Sequence, residues 1–150
     1  MPQSLAQNLV HLIFSTKNRE RWLTATVRPQ FHSYLAGILR DMDCPALVIN
    51  SVFDHVHLLF MLSKNRALAD VVMEIKRGSS KWIKTQPGPF GSFHWQNGYG
   101  AFSIGQSGVA ATREYIEAQE EHHRVKTFQE EFRAFLKRYE VEFDERYVWD

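Results

Sequence analysis

Two histidines one residue apart are the clearest sign of chemistry in this sequence. His55 and His57 lie in segment 54–62, where polar and apolar residues alternate as they do in a β-strand. Because residues two apart in a strand point to the same face, the two imidazoles lie close enough together to hold one metal ion. His11, in the first predicted strand, is expected beside them on that face. The competing interpretation is a pair of surface histidines at a sheet edge.

A second group of polar side chains shares one stripe of a helix predicted over about residues 109–122. Tyr115, Gln119 and His122 are spaced i, i+4 and i+7, so they lie on one side of that helix. A phenol can act as a nucleophile, and an imidazole can bind a metal ion. The apolar stripe of this helix is thin, which favours a helix that docks on a partner. The competing interpretation of Tyr115 is a packing residue.

Residues suited to bind phosphates form two clusters, one after the first predicted strand and one along the second predicted helix. Cationic side chains neutralise phosphates, and hydroxyl groups add hydrogen bonds to them. The predicted DNA-binding residues are Lys17, Arg19, Arg21, Lys76, Arg77, Ser79, Ser80, Lys81 and Lys84. The alternative for each of them is an ordinary solvated surface.

The composition is that of one folded domain over residues 1–150, with 44% hydrophobic and 23% charged residues. The net charge is +1, but residues 1–113 carry 12 basic and 6 acidic residues, whereas residues 114–150 carry 6 and 11. A basic body is compatible with a binding site for a polyanion. We predict a cytoplasmic protein without a membrane span. The sequence has a single cysteine, Cys44, a polar N-terminus and no long apolar segment.

The periodicity predicts the order β-α-β-β-α-β, followed by two helices. The predicted strands are 7–16, 46–52, 54–62 and two short extended pieces at 93–95 and 101–104. The predicted helices are 26–41, a second from Leu68 to the Pro87-Gly88-Pro89 segment, about 109–122, and about 128–140 after a capping box at Thr127. This order is the α+β ferredoxin-like (RRM-like) fold, an antiparallel sheet with helices on one face, here with added C-terminal helices. We expect the other face of the sheet to stay open for a ligand.

Taken together, five segments resemble the insertion sequence 200/605-like single-tyrosine HUH transposases, over nearly the whole chain. They are the strand and basic turn at 8–19, the histidine-hydrophobic-histidine motif at 54–59, the helix segment 76–80, the region 93–103 and the tyrosine segment 115–123. Five segments in the same order are far more specific than any one of them. The sequence departs from the family pattern at Val52-Phe53, where Met-Pro is expected.

The resemblance implies a homodimer that cuts and rejoins single-stranded DNA at the hairpin-bearing ends of an insertion sequence. It implies that Tyr115 is the nucleophile and forms a 5′-phosphotyrosine intermediate. It also implies that His55, His57 and Gln119 hold Mg²⁺ or Mn²⁺. In this family the tyrosine helix of one subunit can complete the site of the other.

Residues around this site are expected to support it. His11, Asp54 and His122 are candidates for contacts with the ligands, and the neighbouring His122 and His123 leave the identity of the third ligand open. Three other functions stay open as well: a domesticated repeat-associated HUH nuclease or a nickase, a non-catalytic hairpin DNA-binding protein, and a small metal hydrolase. A trapped covalent DNA adduct would eliminate the last two.

Overall fold

The computed structural model describes residues 2–150, in which the predicted alternation and helical periodicity give four strands and five α-helices. They are, in chain order, β1 (Asn8–Ser15), α1 (Arg28–Asp41), β2 (Ala46–Ser51), β3 (His55–Leu62), α2 (Leu68–Lys84), β4 (Gly100–Ile104), α3 (Val109–Glu117), α4 (Gln119–His122) and α5 (Phe128–Arg138). Among these residues, no helix is long and apolar enough to span a membrane.

The four strands form one antiparallel sheet in the order β2-β3-β1-β4. The central pair, β1 and β3, is in register over its full length, with Ile13 opposite His57 and His11 opposite Leu59. This strand order, with α1 and α2 as the two crossover helices, is the predicted ferredoxin-like arrangement. The fold class predicted from the sequence is therefore confirmed.

The main hydrophobic core lies between one face of the sheet and helices α1 and α2. The apolar residues that alternate along β1 and β3 face these helices, and the buried set includes Val10, Leu12, Phe14, Val56, Leu58 and Phe60. Helix α1 contributes Phe31 and Leu35, and helix α2 contributes Val71 and Ile75. Burial of this set fixes the register of both central strands, because a slip of one residue would turn every side chain to the opposite face.

The second face of the sheet is not open, contrary to our expectation. Helix α5 packs across it through Phe128, Phe132, Phe135 and Leu136, which form a second buried cluster with Ile13 and Phe102. The helix begins at the predicted capping box, where the Thr127 side chain accepts a hydrogen bond from the Glu130 amide at 3.1 Å. The helix docks on the sheet because four large apolar side chains on one stripe are thereby removed from water.

Two predicted elements have different bounds. The helix predicted over 109–122 is interrupted at Ala118, whose φ of −94° and ψ of 21° end α3 before α4 begins. The side chains on both sides of the break keep helical spacing, so their periodicity could not reveal it. The extended piece at 93–95 is not a strand of the sheet; Trp95 forms an isolated bridge with Thr16.

Gly100 at the start of β4 tests the docking of α5. A methyl group at this position would overlap the ring of Phe132. We expect Gly100→Ala to lower the free energy of unfolding by about 1–3 kcal/mol, the usual cost of overpacking. Gly105→Ala is the matched control, because its added methyl group meets nothing within 4 Å. Equal urea midpoints for the two variants would contradict this packing.

Candidate active site

The two histidines of the motif lie under the C-terminal helices. His55 and His57 alternate with the core residues of β3 and therefore face the second side of the sheet, where both are 0% exposed. His11 on the neighbouring strand β1 is also buried on that side. The three imidazoles are thus brought together by strand alternation and register, as the sequence predicts.

Each ring of the motif has one nitrogen engaged by a neighbour. His55 Nδ1–H donates to Asp54 Oδ1 at 2.7 Å. His57 Nδ1 accepts from His11 Nε2–H at 2.9 Å. These contacts orient both rings with Nε2 directed away from the strand and towards α5. Histidines that bind metals are characteristically held by such a partner on the second ring nitrogen.

Helix α5 places a carboxylate at the point where these nitrogens converge. Glu131 is 2% exposed, and its Oε1 atom accepts a hydrogen bond from His57 Nε2 at 2.9 Å. The same oxygen lies 3.3 Å from His55 Nε2 and 3.2 Å from His123 Nε2. His123 follows α4, and its Nδ1–H donates to the Lys126 carbonyl oxygen at 2.7 Å.

The predicted tyrosine reaches the same carboxylate from the other side. Tyr115 on α3 donates its hydroxyl hydrogen bond to Glu131 Oε2, so the two oxygens of one carboxylate face the imidazoles and the phenol, respectively. The Tyr115 ring stacks on His122, with centroids 4.3 Å apart. Tyr115 and the histidine pair therefore converge within a single chain, on a residue that belongs to neither motif.

Burial and charge set the protonation of this cluster. Although burial alone would raise it, the neighbouring imidazoles of His57, His123 and His55 hold the pKa of Glu131 far below its usual range. Burial and the Glu131 carboxylate raise the pKa of Tyr115, so the phenol is protonated here. Burial lowers the pKa of His57, whereas the neighbouring carboxylates of Asp54 and Glu131 overcome burial and raise that of His55.

The cluster has the composition of a metal site. Nitrogen atoms of His55, His57 and His123 and a carboxylate oxygen of Glu131 all lie within 4.8 Å of one another. The Nε2 atoms of His55 and His123 are buried and make no hydrogen bond, although both point at Glu131. In its neutral form, an imidazole that donates from Nδ1 presents a lone pair at Nε2, which is available to a metal ion. These residues therefore fit a divalent metal ion.

The remaining predicted site residues lie around this cluster. Gln119 is fully buried; its Nε2 donates to the Tyr115 carbonyl oxygen at 3.4 Å, and its Oε1 has no partner. Asp54 holds His55, His11 holds His57, and His122 stacks on Tyr115. Their placement beside the cluster agrees with the prediction, while their functional roles stay predictions.

Sequence reasoning did not find Glu131. A signal for it exists, because Glu131 lies between Phe128, Phe132 and Phe135 on the apolar stripe of α5. A carboxylate on the buried stripe of a helix requires a charged or hydrogen-bonding partner. His123 was an open alternative, and its participation depends on the turn after α4, which periodicity does not describe.

The basic residues divide into solvent-facing and structural groups. Arg19 and Arg21 line a cavity of about 750 Å³ with Arg28, Arg124 and Lys126, and Asp54 and His123 also border it. Arg77, Lys81 and Lys84 are exposed on α2, with Ser80 half-buried, and Lys17 is half-buried in its 3-10 turn.

Two of the predicted phosphate-binding residues face inwards instead. Lys76 Nζ donates to the carbonyl oxygens of Gln96, Asn97 and Gly98, and burial lowers its pKa to about 8. Ser79 Oγ donates to the Ile75 carbonyl oxygen and accepts from Trp95 Nε1 at 3.0 Å. Both groups satisfy buried polar atoms, which a sequence stripe alone cannot distinguish from a phosphate site.

His11 provides a test of these electrostatics. Burial, together with the charge of His57, lowers the pKa of His11 to about 3, well below its value in an unfolded chain. The unfolded chain therefore binds the extra proton first, and the contribution of His11 to stability decreases as the pH falls below about 6.5. We expect its ring proton shifts to stay constant between about pH 8 and 5 by NMR, whereas the urea-unfolded chain titrates near 6.5. A folded-state midpoint near 6.5 would contradict this environment.

Comparisons with known proteins identify the family of this chain. A family model described as "Transposase IS200 like" matches residues 4–119. The ISDra2 transposase TnpA of Deinococcus radiodurans is 25% identical over 114 residues, which are 73% of this chain and 81% of that protein.

Two solved structures share the fold. A crystal structure of a candidate transposase from Deinococcus radiodurans has a TM-score of 0.62 and 23% identity and covers 79% of this chain and 98% of its own. A REP-associated tyrosine transposase bound to a REP hairpin also has a TM-score of 0.62, with 14% identity over 82% of this chain and 73% of its own. The family match extends over most of the chain and includes the histidine motif, Tyr115 and Gln119. This chain belongs to the IS200-like transposase family.

Proposed function

We propose that this transposase cleaves and rejoins single-stranded DNA at insertion-sequence ends, through a phosphotyrosine formed on Tyr115. The observation that carries the proposal is the convergence of the Tyr115 hydroxyl and the His55 and His57 imidazoles on one carboxylate. A phenol within reach of a cation-binding cluster is the arrangement that phosphoryl transfer to tyrosine requires.

Tyr115 supplies the nucleophile in this reaction. Its oxygen forms a bond to phosphorus while the bond from phosphorus to the 3′-oxygen breaks, which leaves a 5′-phosphotyrosine and a free 3′-hydroxyl. The phenol proton balances the new hydroxyl group, and Glu131 Oε2 accepts the hydrogen bond that orients the Tyr115 hydroxyl. The phosphodiester energy is retained, so a second 3′-hydroxyl can reverse the step and join strands.

Neutral imidazoles suit a metal ion that must offset the negative charge of a phosphate, because they leave the double positive charge of the ion in place. His55 and His57 are the metal ligands, with Gln119 as the third ligand that the resemblance implies. A bound Mg²⁺ or Mn²⁺ ion would offset the phosphate charge and act as a Lewis acid on a non-bridging oxygen. Asp54 and His11 keep the two imidazoles oriented for this role through their hydrogen bonds.

A cationic groove leads to the site and is our candidate path for the DNA strand. The groove lined by Arg19, Arg21 and Arg124 borders Asp54 and His123, next to the buried ligands. Side chains that neutralise phosphates supply affinity without sequence preference. The exposed stripe of Arg77, Lys81 and Lys84 on α2 is the candidate surface for a hairpin. That the structurally similar REP-associated transposase is bound to a hairpin supports hairpin binding, without indicating the surface.

Each chain carries one nucleophile of this type, and excision of an element needs two cleavages. We therefore propose a homodimer, in which two copies of Tyr115 act on the two ends. The contacts of Tyr115 within its own chain support an arrangement in which both catalytic groups come from the same subunit.

The tyrosine is tested by Tyr115→Phe, which removes only the attacking oxygen. We expect this variant to lose covalent protein–DNA adducts with labelled single-stranded element ends and Mn²⁺, while DNA binding is retained, since the phenyl ring stays in place. Adducts are read on a denaturing gel. Tyr34→Phe on α1 is the matched control and should form adducts as the unmodified protein does.

The outcomes of this experiment separate the alternatives. Adducts of Tyr115→Phe at the unmodified level would exclude Tyr115 as the nucleophile. Hairpin binding by the unmodified protein that ignores EDTA and yields neither adduct nor nick would identify a non-catalytic DNA-binding protein. Cleavage of the DNA without any covalent adduct would identify a metal hydrolase.

The groove is tested by Arg21→Ala. Arg21 is exposed, so its removal costs little stability, but it removes one cation from the path of the strand. We expect weaker binding to all single strands and a salt slope smaller by about 1, measured by fluorescence anisotropy at several salt concentrations. Arg40→Ala, near the end of α1, is the control. An unchanged salt slope for Arg21→Ala would place the strand elsewhere.

A further inference from the structure

Two of the four metal-ligating groups come from a part of the chain that the family match does not include. The match ends at residue 119, whereas His123 follows α4 and Glu131 lies on α5. Glu131 is nevertheless 2% exposed, and its Oε1 atom lies 2.9 Å from His57 and 3.3 Å from His55. The segment after residue 119 therefore contributes chemistry to the site and does not merely cover it.

We infer that His123 and Glu131 complete, with His55 and His57, a four-ligand site for a transition-metal dication that ties the segment after residue 119 to the sheet. The inference deepens the proposed function, on which it rests for its use in catalysis. It replaces a site of two imidazoles and an amide by one of three imidazoles and a carboxylate.

The distances from Glu131 Oε1 to the three imidazoles are those between neighbouring ligands of one metal ion. Ligand atoms at about 2.1 Å from an ion lie about 3.0–3.4 Å from one another, and an ion with five or six positions keeps one free for a phosphate oxygen. Glu131 Oε1 lies 3.3, 2.9 and 3.2 Å from the Nε2 atoms of His55, His57 and His123.

The second ring nitrogens favour the same set of ligands. His123 Nδ1–H donates to a backbone carbonyl oxygen and His55 Nδ1–H to a carboxylate, the two partners most often found behind metal-bound histidines. Both Nε2 atoms are left buried and without a hydrogen bond. His123 thus has the same local geometry as His55, although the two are far apart in the sequence.

The carboxylate also connects the ion to the nucleophile. Glu131 Oε1 faces the imidazoles while Glu131 Oε2 accepts the Tyr115 hydroxyl. Glu131 is therefore a positioning residue for Tyr115 as well as a ligand. Three imidazoles and one carboxylate are ligands that favour Zn²⁺, Co²⁺ or Mn²⁺ over Mg²⁺, which prefers oxygen donors.

Metal binding by the full-length protein without DNA tests the inference. Chelator-treated protein is titrated with Co²⁺, followed by its visible absorption and by calorimetry. We expect one ion per chain and an affinity lower by at least about tenfold, or about 1.4 kcal/mol, in both His123→Ala and Glu131→Gln. Glu130→Gln, an exposed carboxylate on the same helix, and His94→Ala, an exposed imidazole, should bind as the unmodified protein does. Unchanged affinity in either His123→Ala or Glu131→Gln overturns the inference, as does a loss confined to Gln119→Ala.

Two further measurements use the unmodified protein, so a variant that fails to fold does not weaken the test. X-ray absorption of the Co²⁺ form should count three imidazole ligands, and a count of two overturns the inference. Amide hydrogen exchange in α5 should slow when the ion binds, because the ion holds Glu131 to the sheet. Unchanged exchange would show that the ion does not connect the segment after residue 119 to the sheet. None of these measurements involves DNA, so a failure to form Tyr115 adducts would refute the proposed function and leave this result intact.

Discussion

A carboxylate buried under a helix imposes the strictest condition on this structure. Glu131 is 2% exposed, and an ionised carboxyl group removed from water is costly unless charges and hydrogen bonds replace its hydration. The His57 imidazole and the Tyr115 phenol donate hydrogen bonds to it, and the imidazoles of His55 and His123 lie within 3.3 Å of it. These groups come from β3, α3 and the turn after α4. The position of each of these elements is thereby coupled to the others through a single side chain.

The same contact explains how the C-terminal helices and the sheet act as one unit. The aromatic residues of α5 supply the apolar burial that docks the helix on the sheet, and Glu131 gives this docking a unique register because only one rotation of α5 brings it to the histidines. Burial of a charge contributes little stability by itself, so we assign it the role of specifying position. The site of chemistry and the packing of the second face of the sheet are then one structural feature.

Membership in the IS200-like transposase family connects the cluster to transposition, and the structure shows which residues form it. The motif residues lie on β3 and α3, within the matched region, whereas Glu131 and His123 lie beyond it. In this chain the site is enclosed on the α5 side, and the arginine-lined groove beside His123 borders it.

The sequence by itself determined the sheet, the two faces of its central strands and the placement of His55, His57 and His11 on one of them, because strand alternation and burial are local properties with a period of two residues. It also predicted Tyr115 and Gln119 on one helical stripe. Only the tertiary structure decided that α5 closes the second face and that Glu131 and His123 meet the motif. These contacts with the motif join residues more than 60 positions apart through a turn and a helix docking angle, and neither of these leaves a periodic signal in the sequence.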